Sequence, residues 1–235
     1  MARVTDDTTR AVRPRGAADP DDLPDPLDPV DDDPDSPARR SWRRRTATEM
    51  AVSGVIGLIA SFVLSIDAWR IALDPSTTLS CDVSSVISCG TVARAWQAQL
   101  LGFPNAFLGI AFESVVIAIS VAGIAGVRFP RWYMRATQAL YTVALLFAWW
   151  LFSQSYLRIG ALCPWCLLIT VTTTLVWTGL TRWNLRDGNL RLPGRADRWA
   201  REFVTAGYDW YVTAAVLVLL VAAILLKYGP TLLAA

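Results

Sequence analysis

Residues 48–71, TEMAVSGVIGLIASFVLSIDAWRI, decide the fold class of this chain. An apolar run of about twenty residues spans the roughly 30 Å hydrocarbon core of a bilayer as a helix. Four more such runs follow, at about 104–126, 136–156, 162–181 and 208–228, in a chain that is 54% hydrophobic and only 18% charged. The expectation is an all-α integral membrane protein with five transmembrane helices.

Cytoplasmic flanks of membrane helices accumulate Lys and Arg. Taken in alternation, one side collects Arg39, Arg40, Arg43, Arg44 and Arg45, then Arg128, Arg131 and Arg135, then Arg182, Arg186, Arg191, Arg195, Arg198 and Arg201. The other side holds Arg94 and Arg158, with Arg70 and Lys227 near span ends. This asymmetry puts the N-terminus in the cytoplasm, the C-terminus outside, and all four cysteines on or near the outer face of a multi-pass cell-membrane protein.

Outside the spans, residues 1–46 read as a cytoplasmic tail that ends in an Arg-rich juxtamembrane segment. Its first 38 or so residues are rich in Asp and Pro, with too few apolar side chains to offset the entropy of ordering, which predicts disorder. A docking segment for a cytoplasmic partner is the alternative reading. No cleaved signal peptide is expected, because the first apolar run starts only near Met50 and no small-residue cleavage site follows it. Residues 183–206 read as a basic cytoplasmic loop, and 207–235 as a fifth helix with a short outer C-terminus.

The chain contains no histidine. That removes the commonest general base and metal ligand and excludes Ser/His/Asp and Cys/His nucleophile arrangements, so chemistry falls to Cys, carboxylates and hydroxyls. The net charge of +2 conceals eleven Asp between Asp6 and Asp35 and Arg clusters beside the apolar runs. Charge balance therefore says little about partners, and no nucleic acid is expected among them.

Four cysteines remain: Cys81 and Cys89 in the outer loop of about 74–103, and Cys163 and Cys166 in a Cys-Pro-Trp-Cys motif where the fourth span begins. Disulfides persist in oxidising exterior compartments and are rare in the cytosol, in agreement with the flank asymmetry. Of the three pairings open to four cysteines, spacing favours Cys81 with Cys89 and Cys163 with Cys166. As a structural staple, a ring of about nine residues contributes roughly 2.5 kcal/mol, little for a chain already held by five spans. A Cys-x-x-Cys at a helix start has a chemical rationale instead. Unpaired backbone N–H groups and the helix dipole stabilise the thiolate of its first cysteine, and thiolates attack disulfides. Pro164 suits the first turn, where its missing N–H costs nothing. Cys166 lies about 4.5 Å deeper by helical rise, within reach of a lipid-soluble acceptor. Zinc is disfavoured, since one pair is separated by seven residues rather than the two to four of a zinc knuckle, and no metal is expected.

Three segments together resemble the bacterial homologues of vitamin K epoxide reductase. They are Cys81-Asp82-Val83-Ser84-Ser85-Val86-Ile87-Ser88-Cys89, Asn105-Ala106-Phe107-Leu108-Gly109 opening the second span, and Cys163-Pro164-Trp165-Cys166. A loop pair followed by a helix-start Cys-x-x-Cys is specific to that family, whereas the analogous disulfide-bond protein B carries its Cys-x-x-Cys first. The likeness covers about residues 48–182.

The resemblance implies a four-helix bundle at 47–182 around a quinone, with the 74–103 loop covering the site and a fifth helix outside it. It also implies electron flow from a secreted or membrane-anchored thioredoxin-like disulfide-forming protein to a membrane quinone. Cys81 would exchange with the partner, Cys89 would pass electrons to Cys163, and Cys166 would be the thiol nearest the quinone. Only a few residues follow the fifth span, so the partner is expected to be a separate polypeptide. Asn105 matches a family asparagine whose amide can hydrogen-bond a quinone carbonyl. A helix N-cap beside Pro104 is its alternative role. Helical spacing puts Leu108 and Phe112 on the same face as an apolar wall. Trp96 matches a family tryptophan of the covering loop, although an interfacial aromatic belt also explains it.

Two departures bear on quinone choice and on epoxide activity. Thr170 stands where many members place a tyrosine, and Ala95 where a Ser or Thr is frequent. Glu113 lies eight residues beyond Asn105, about 12 Å further from the outer face, where a charged carboxylate costs on the order of 2.5 to 3.5 kcal/mol. It is expected either to handle protons beside the quinone or to be a protonated carboxyl bonded to a neighbouring helix. High Arg and Ala content with a single lysine, Lys227, points to a GC-rich bacterium and thereby to menaquinone. The competing readings are a membrane scaffold or transporter subunit braced by disulfides, and a quinone epoxide reductase.

Overall fold

A computed structural model describes residues 36–233. The acidic tail expected before them lies outside the described residues. Seven α-helices follow in order: α1 (Pro37–Leu73), α2 (Cys89–Arg94), α3 (Ala106–Ile124), α4 (Arg131–Gln154), α5 (Pro164–Arg186), α6 (Arg195–Thr205) and α7 (Tyr208–Leu233). A 3₁₀ turn at Trp96–Gln99 and a π turn at Ser155–Ile159 complete the helical elements. Among the described residues the sole β pairing is one isolated parallel bridge between Ile87 and Leu162.

Five of these segments are long and apolar enough to cross a membrane: α1, α3, α4 with its π turn, α5 and α7. In a bilayer each backbone amide must be satisfied within its own segment, which leaves the helix as the stable form for such runs. Helix α1 begins well before its apolar run. Ser36 caps it by accepting from the Arg39 amide at 3.3 Å, and Pro37 occupies the first turn. Its Arg-rich turns dock on the end of α5, where Arg39 Nη2 donates to the Arg186 carbonyl at 2.8 Å and Arg43 pairs with Asp187 at 3.0 Å. Cations at a helix C-terminus complement its dipole. The basic segment 183–206 completes α5 and forms α6.

Helix α1 packs along α3 and α5, and α4 closes on the other side of α5, making a four-helix bundle. Helix α7 stands outside it, against α5 and α6, tied to the π turn where Tyr156 Oη donates to the Ala223 carbonyl at 3.1 Å. Without a hydrophobic drive between helices in lipid, close approach depends on small residues and shape. Gly123 illustrates this, since a Cβ there would lie 2.1 Å from the Trp183 ring. Met50, Val116, Ile119, Tyr141, Val176 and Leu180 fill the core. Large apolar side chains such as Val52, Ile59, Phe62 and Leu226 face outward, as an apolar solvent allows.

Candidate functional site

The site is assembled at the end of the bundle that carries the 74–103 loop, by two backbone hydrogen bonds. Ser88 N donates to the Leu162 carbonyl at 3.0 Å, and Leu162 N donates to the Val86 carbonyl at 2.7 Å. They clamp the residue before Cys89 to the residue before Cys163. Cys89 then starts α2, with Ser88 as its cap, while Cys163 caps α5. Their sulfurs are 3.4 Å apart although 74 positions separate them in the chain.

Cys81 and Cys89 form a disulfide with Cα atoms 5.6 Å apart, whereas Cys163 and Cys166 are free thiols. Cys163 is buried and its sulfur accepts from the Cys166 amide at 3.4 Å. The Cys166 thiol, and after it the Cys166 and Trp165 amides, hold the Cys163 thiol below the usual range against the opposing effects of burial and of the Asp67 carboxylate. The N-terminal turn of α5 thus directs a backbone N–H at the Cys163 sulfur.

Asp82 organises the loop around the first pair. Its carboxylate accepts from Leu79 N, Gly90 N and Ser88 Oγ, each at 2.8 Å. Burial opposes the charge, but these bonds and the Arg94 guanidinium outweigh it and hold the carboxyl below its ordinary range. Arg94 in turn donates to the Pro75 and Thr77 carbonyls at 3.0 and 2.7 Å, closing the loop on itself.

Beneath the cysteines lies a cavity of about 160 Å³. Its lining brings together eight of the ten residues expected from the sequence: Cys89, Cys163, Cys166, Asn105, Leu108, Phe112, Glu113 and Thr170. Cys81 and Trp96 are not in the lining. Cys81 packs in the loop cluster above, and Trp96 is 64% exposed, edge-on to Trp150 at 6.2 Å.

Asn105 occupies the cap position of α3 without a side-chain cap bond. Its Nδ2 donates to the Gln97 carbonyl at 2.6 Å, and its buried Oδ1 has no partner. Thr170 is buried, and its hydroxyl donates within α5 to the Cys166 carbonyl at 3.0 Å. Glu113, 2% exposed, meets Tyr141 of α4, whose Oη lies 3.3 Å from Glu113 Oε2 and 3.0 Å from the Phe112 carbonyl.

Three residues of this region escaped the sequence reading. Tyr141 and Gln97 line the cavity, the latter with a buried, unpartnered Oε1. Asp67 is 3% exposed with an unpartnered Oδ2, between Leu64 and Ile71 that pack on the cysteine cluster. A carboxylate near the C-terminal end of an apolar span was the available signal for Asp67. Tyr141 and Gln97 carry no local signal.

Residues 48–180, more than half of the chain, match the model of the vitamin K epoxide reductase family, and the chain belongs to that family. No curated protein is matched by the chain. Membership and five membrane-length helices make it a multi-pass membrane redox protein, of a family of disulfide oxidoreductases that generally work with quinone and thioredoxin-like partners.

Proposed function

We propose, from this family membership, that the protein reoxidises an extracytoplasmic thioredoxin-like disulfide-forming protein and delivers two electrons to a membrane quinone. The observation that carries the proposal is the 3.4 Å approach of Cys89 Sγ to Cys163 Sγ, which joins the two cysteine pairs. A partner thiolate attacks Cys81, the Cys81–Cys89 bond breaks, and Cys89 leaves as a thiolate. The partner's second thiol then releases Cys81 and completes the partner's own disulfide. Cys89 attacks Cys163 of an oxidised Cys163–Cys166 pair and expels Cys166 as a thiolate. Attack of Cys81 on Cys89 restores the loop disulfide and frees Cys163. The result is the arrangement in the structure, with Cys81–Cys89 bonded and Cys163 and Cys166 reduced.

A quinone supplies an acceptor for two electrons and two protons. The cavity residues fit its head group. Leu108 and Phe112 offer apolar walls, and the Asn105 amide keeps one N–H and its Oδ1 uncommitted. One amide can therefore donate to a quinone carbonyl and accept from a quinol hydroxyl. Cys166 reaches the same cavity. Thr170, its hydroxyl turned to the Cys166 carbonyl, retains acceptor capacity only. Composition favours menaquinone. The distribution of Arg supports an outward-facing cysteine end.

Quinone reduction by the purified protein, driven by a reduced thioredoxin-like protein, tests the proposal. Both Cys166→Ala and Cys81→Ala lose partner-driven turnover, while a small dithiol still drives Cys81→Ala. Equal turnover in all three proteins, or none in wild type with any quinone, would sink the relay and favour disulfides that merely brace the loop.

A further inference from the structure

At the end of the bundle remote from the cysteines, α1, α5 and the start of α7 enclose a groove of about 580 Å³. Its polar mouth carries Arg44, Arg45, Glu49 and Arg182. Arg182 is buried and already committed. Its Nε donates to Asp209 at 2.7 Å, its Nη2 meets the same oxygen, and its Nη1 lies 3.4 Å from Glu49. The guanidinium also stacks 4.8 Å from the centre of the Trp210 ring. Both acids of this cluster are thus held by one cation. Arg44 and Arg45 are exposed and form no ion pair among the described residues.

The groove changes character with depth. Val52 and Leu175 line it beyond the arginines, and Val52 is 55% exposed. Seven residues of helix separate Arg45 from Val52, about 10 Å along the axis. Past Val52, α1 continues outward with exposed Val55 and Ile59. Helix α7 packs mainly on α5 and α6, and Val52 and Trp210 beside the track are both exposed. Trp210 marks the headgroup level, where amphipathic rings settle. Two guanidinium groups without an ion pair among the described residues, set above an apolar track, reproduce the order of charge and chain in an acidic lipid. Basic pockets between membrane helices bind such head groups.

We propose that this groove is a binding site for an anionic phospholipid, its phosphate on Arg44 and Arg45 and an acyl chain along Val52 and Leu175. The site is independent of the redox centre and does not rest on the electron relay.

Thermal unfolding of the purified full chain in detergent tests it, with phosphatidylglycerol, phosphatidylcholine or inorganic phosphate added. Phosphatidylglycerol raises the midpoint of wild type, and the other two do not. The double variant Arg44→Gln/Arg45→Gln needs about thirtyfold more phosphatidylglycerol for the same rise, whereas Arg195→Gln/Arg198→Gln on α6 responds as wild type. Val52→Trp, which fills the track from an exposed position, loses the response with both arginines present. A response to inorganic phosphate that depends on Arg44 and Arg45 would assign the site to free phosphate. Equal loss in the two arginine variants would reduce the effect to diffuse charge. Either result, or an unchanged response in Val52→Trp, overturns the proposal.

Discussion

Ile87 and Leu162 form the one β bridge of the described residues, and the two cysteine systems come together just beyond it, at Cys89 two positions after Ile87 and Cys163 one position after Leu162. A single pair of backbone contacts thereby sets the register of a loop of some thirty residues against the start of α5. The sulfurs of Cys89 and Cys163 inherit their 3.4 Å separation from it.

If that register is the exchange geometry, the double variant Cys81→Ser/Cys166→Ser accumulates a Cys89–Cys163 disulfide under mild oxidation, because both resolving thiols are gone. Peptide mapping without reductant is expected to find residues 89 and 163 in one linked fragment. Two unlinked free thiols would show that the loop does not hold this position.

The acidity of Cys163 moves in opposite directions with its two neighbours. Loss of the Cys166 thiol in Cys166→Ala removes the donor that lowers it, so the thiolate forms at higher pH. Asp67→Asn removes a negative charge that raises it, so the thiolate forms at lower pH. Ultraviolet thiolate absorbance against pH, read in a Cys81→Ser/Cys89→Ser background, gives both shifts. Movement in the same direction in both variants would contradict the arrangement of charges.

Asp82 makes the 74–103 loop sensitive to acid. Its folded-state pKa is depressed, so its contribution to loop stability is fully present above the ordinary carboxyl pKa of about 3.9. That contribution disappears as pH falls through the lower, folded value. Loop opening, followed by amide exchange at Leu79 and Gly90, is expected to set in below about pH 4 in wild type. Asp82→Ala shows it already at neutral pH. The loss is roughly 1 kcal/mol, less than the ~1.5 to 3 kcal/mol usual for hydrogen bonds to a charged group because the site is partly solvated.

Asn105→Ala separates quinone contact from thiol exchange. With one N–H and Oδ1 uncommitted and Nδ2 holding the Gln97 carbonyl, its removal is expected to raise the KM for quinone about tenfold or more, a loss of one or two hydrogen bonds. Partner-driven reduction of Cys163–Cys166, followed by alkylation without quinone, stays at the wild-type rate. An unchanged KM would assign Asn105 to holding the 96–99 turn alone.

Gly57 is the counterpart of Glu113 across the α1–α3 interface. A Cβ there would stand 2.5 Å from Glu113 Oε1 and 2.9 Å from Thr172 Oγ1. Gly57→Ala is therefore expected to destabilise by about 1 to 3 kcal/mol through overpacking. Glu113→Gln tests the carboxyl itself, and unchanged turnover and pH profile would remove any proton-handling role. A thermal midpoint for Gly57→Ala equal to wild type would mean the helices part more easily than their packing implies.

Much of this architecture was legible from residue type and spacing. Each membrane-length helix coincides with an apolar run, because the bilayer tests hydrophobic length locally. The Cys163-Pro164-Trp165-Cys166 motif announced a helix start for a similarly local reason, proline fitting the first turn and little else in a helix. Helix α1, by contrast, starts at Pro37, eleven residues before the first apolar run, because its Arg-rich turns find the end of α5 and Asp187. No pattern within 37–47 reports a partner near residue 187. Trp96 was equally ambiguous, since an aromatic near a membrane surface reads alike whether it faces a cavity or, as here, Trp150.

By itself the sequence determined how many segments are long and apolar enough to cross a membrane, which residue types are available for redox chemistry, and which cysteines are close enough in the chain to pair. Those are consequences of composition, hydrophobic length and short-range spacing, each readable in a window of about twenty residues. Tertiary structure alone decided that Cys89 faces Cys163, that Glu113 meets Tyr141, and that the Asn105 amide keeps an unused oxygen at a cavity wall. Those depend on how distant helices pack and which backbone groups are left to bond, and packing joins residues that no linear interval relates.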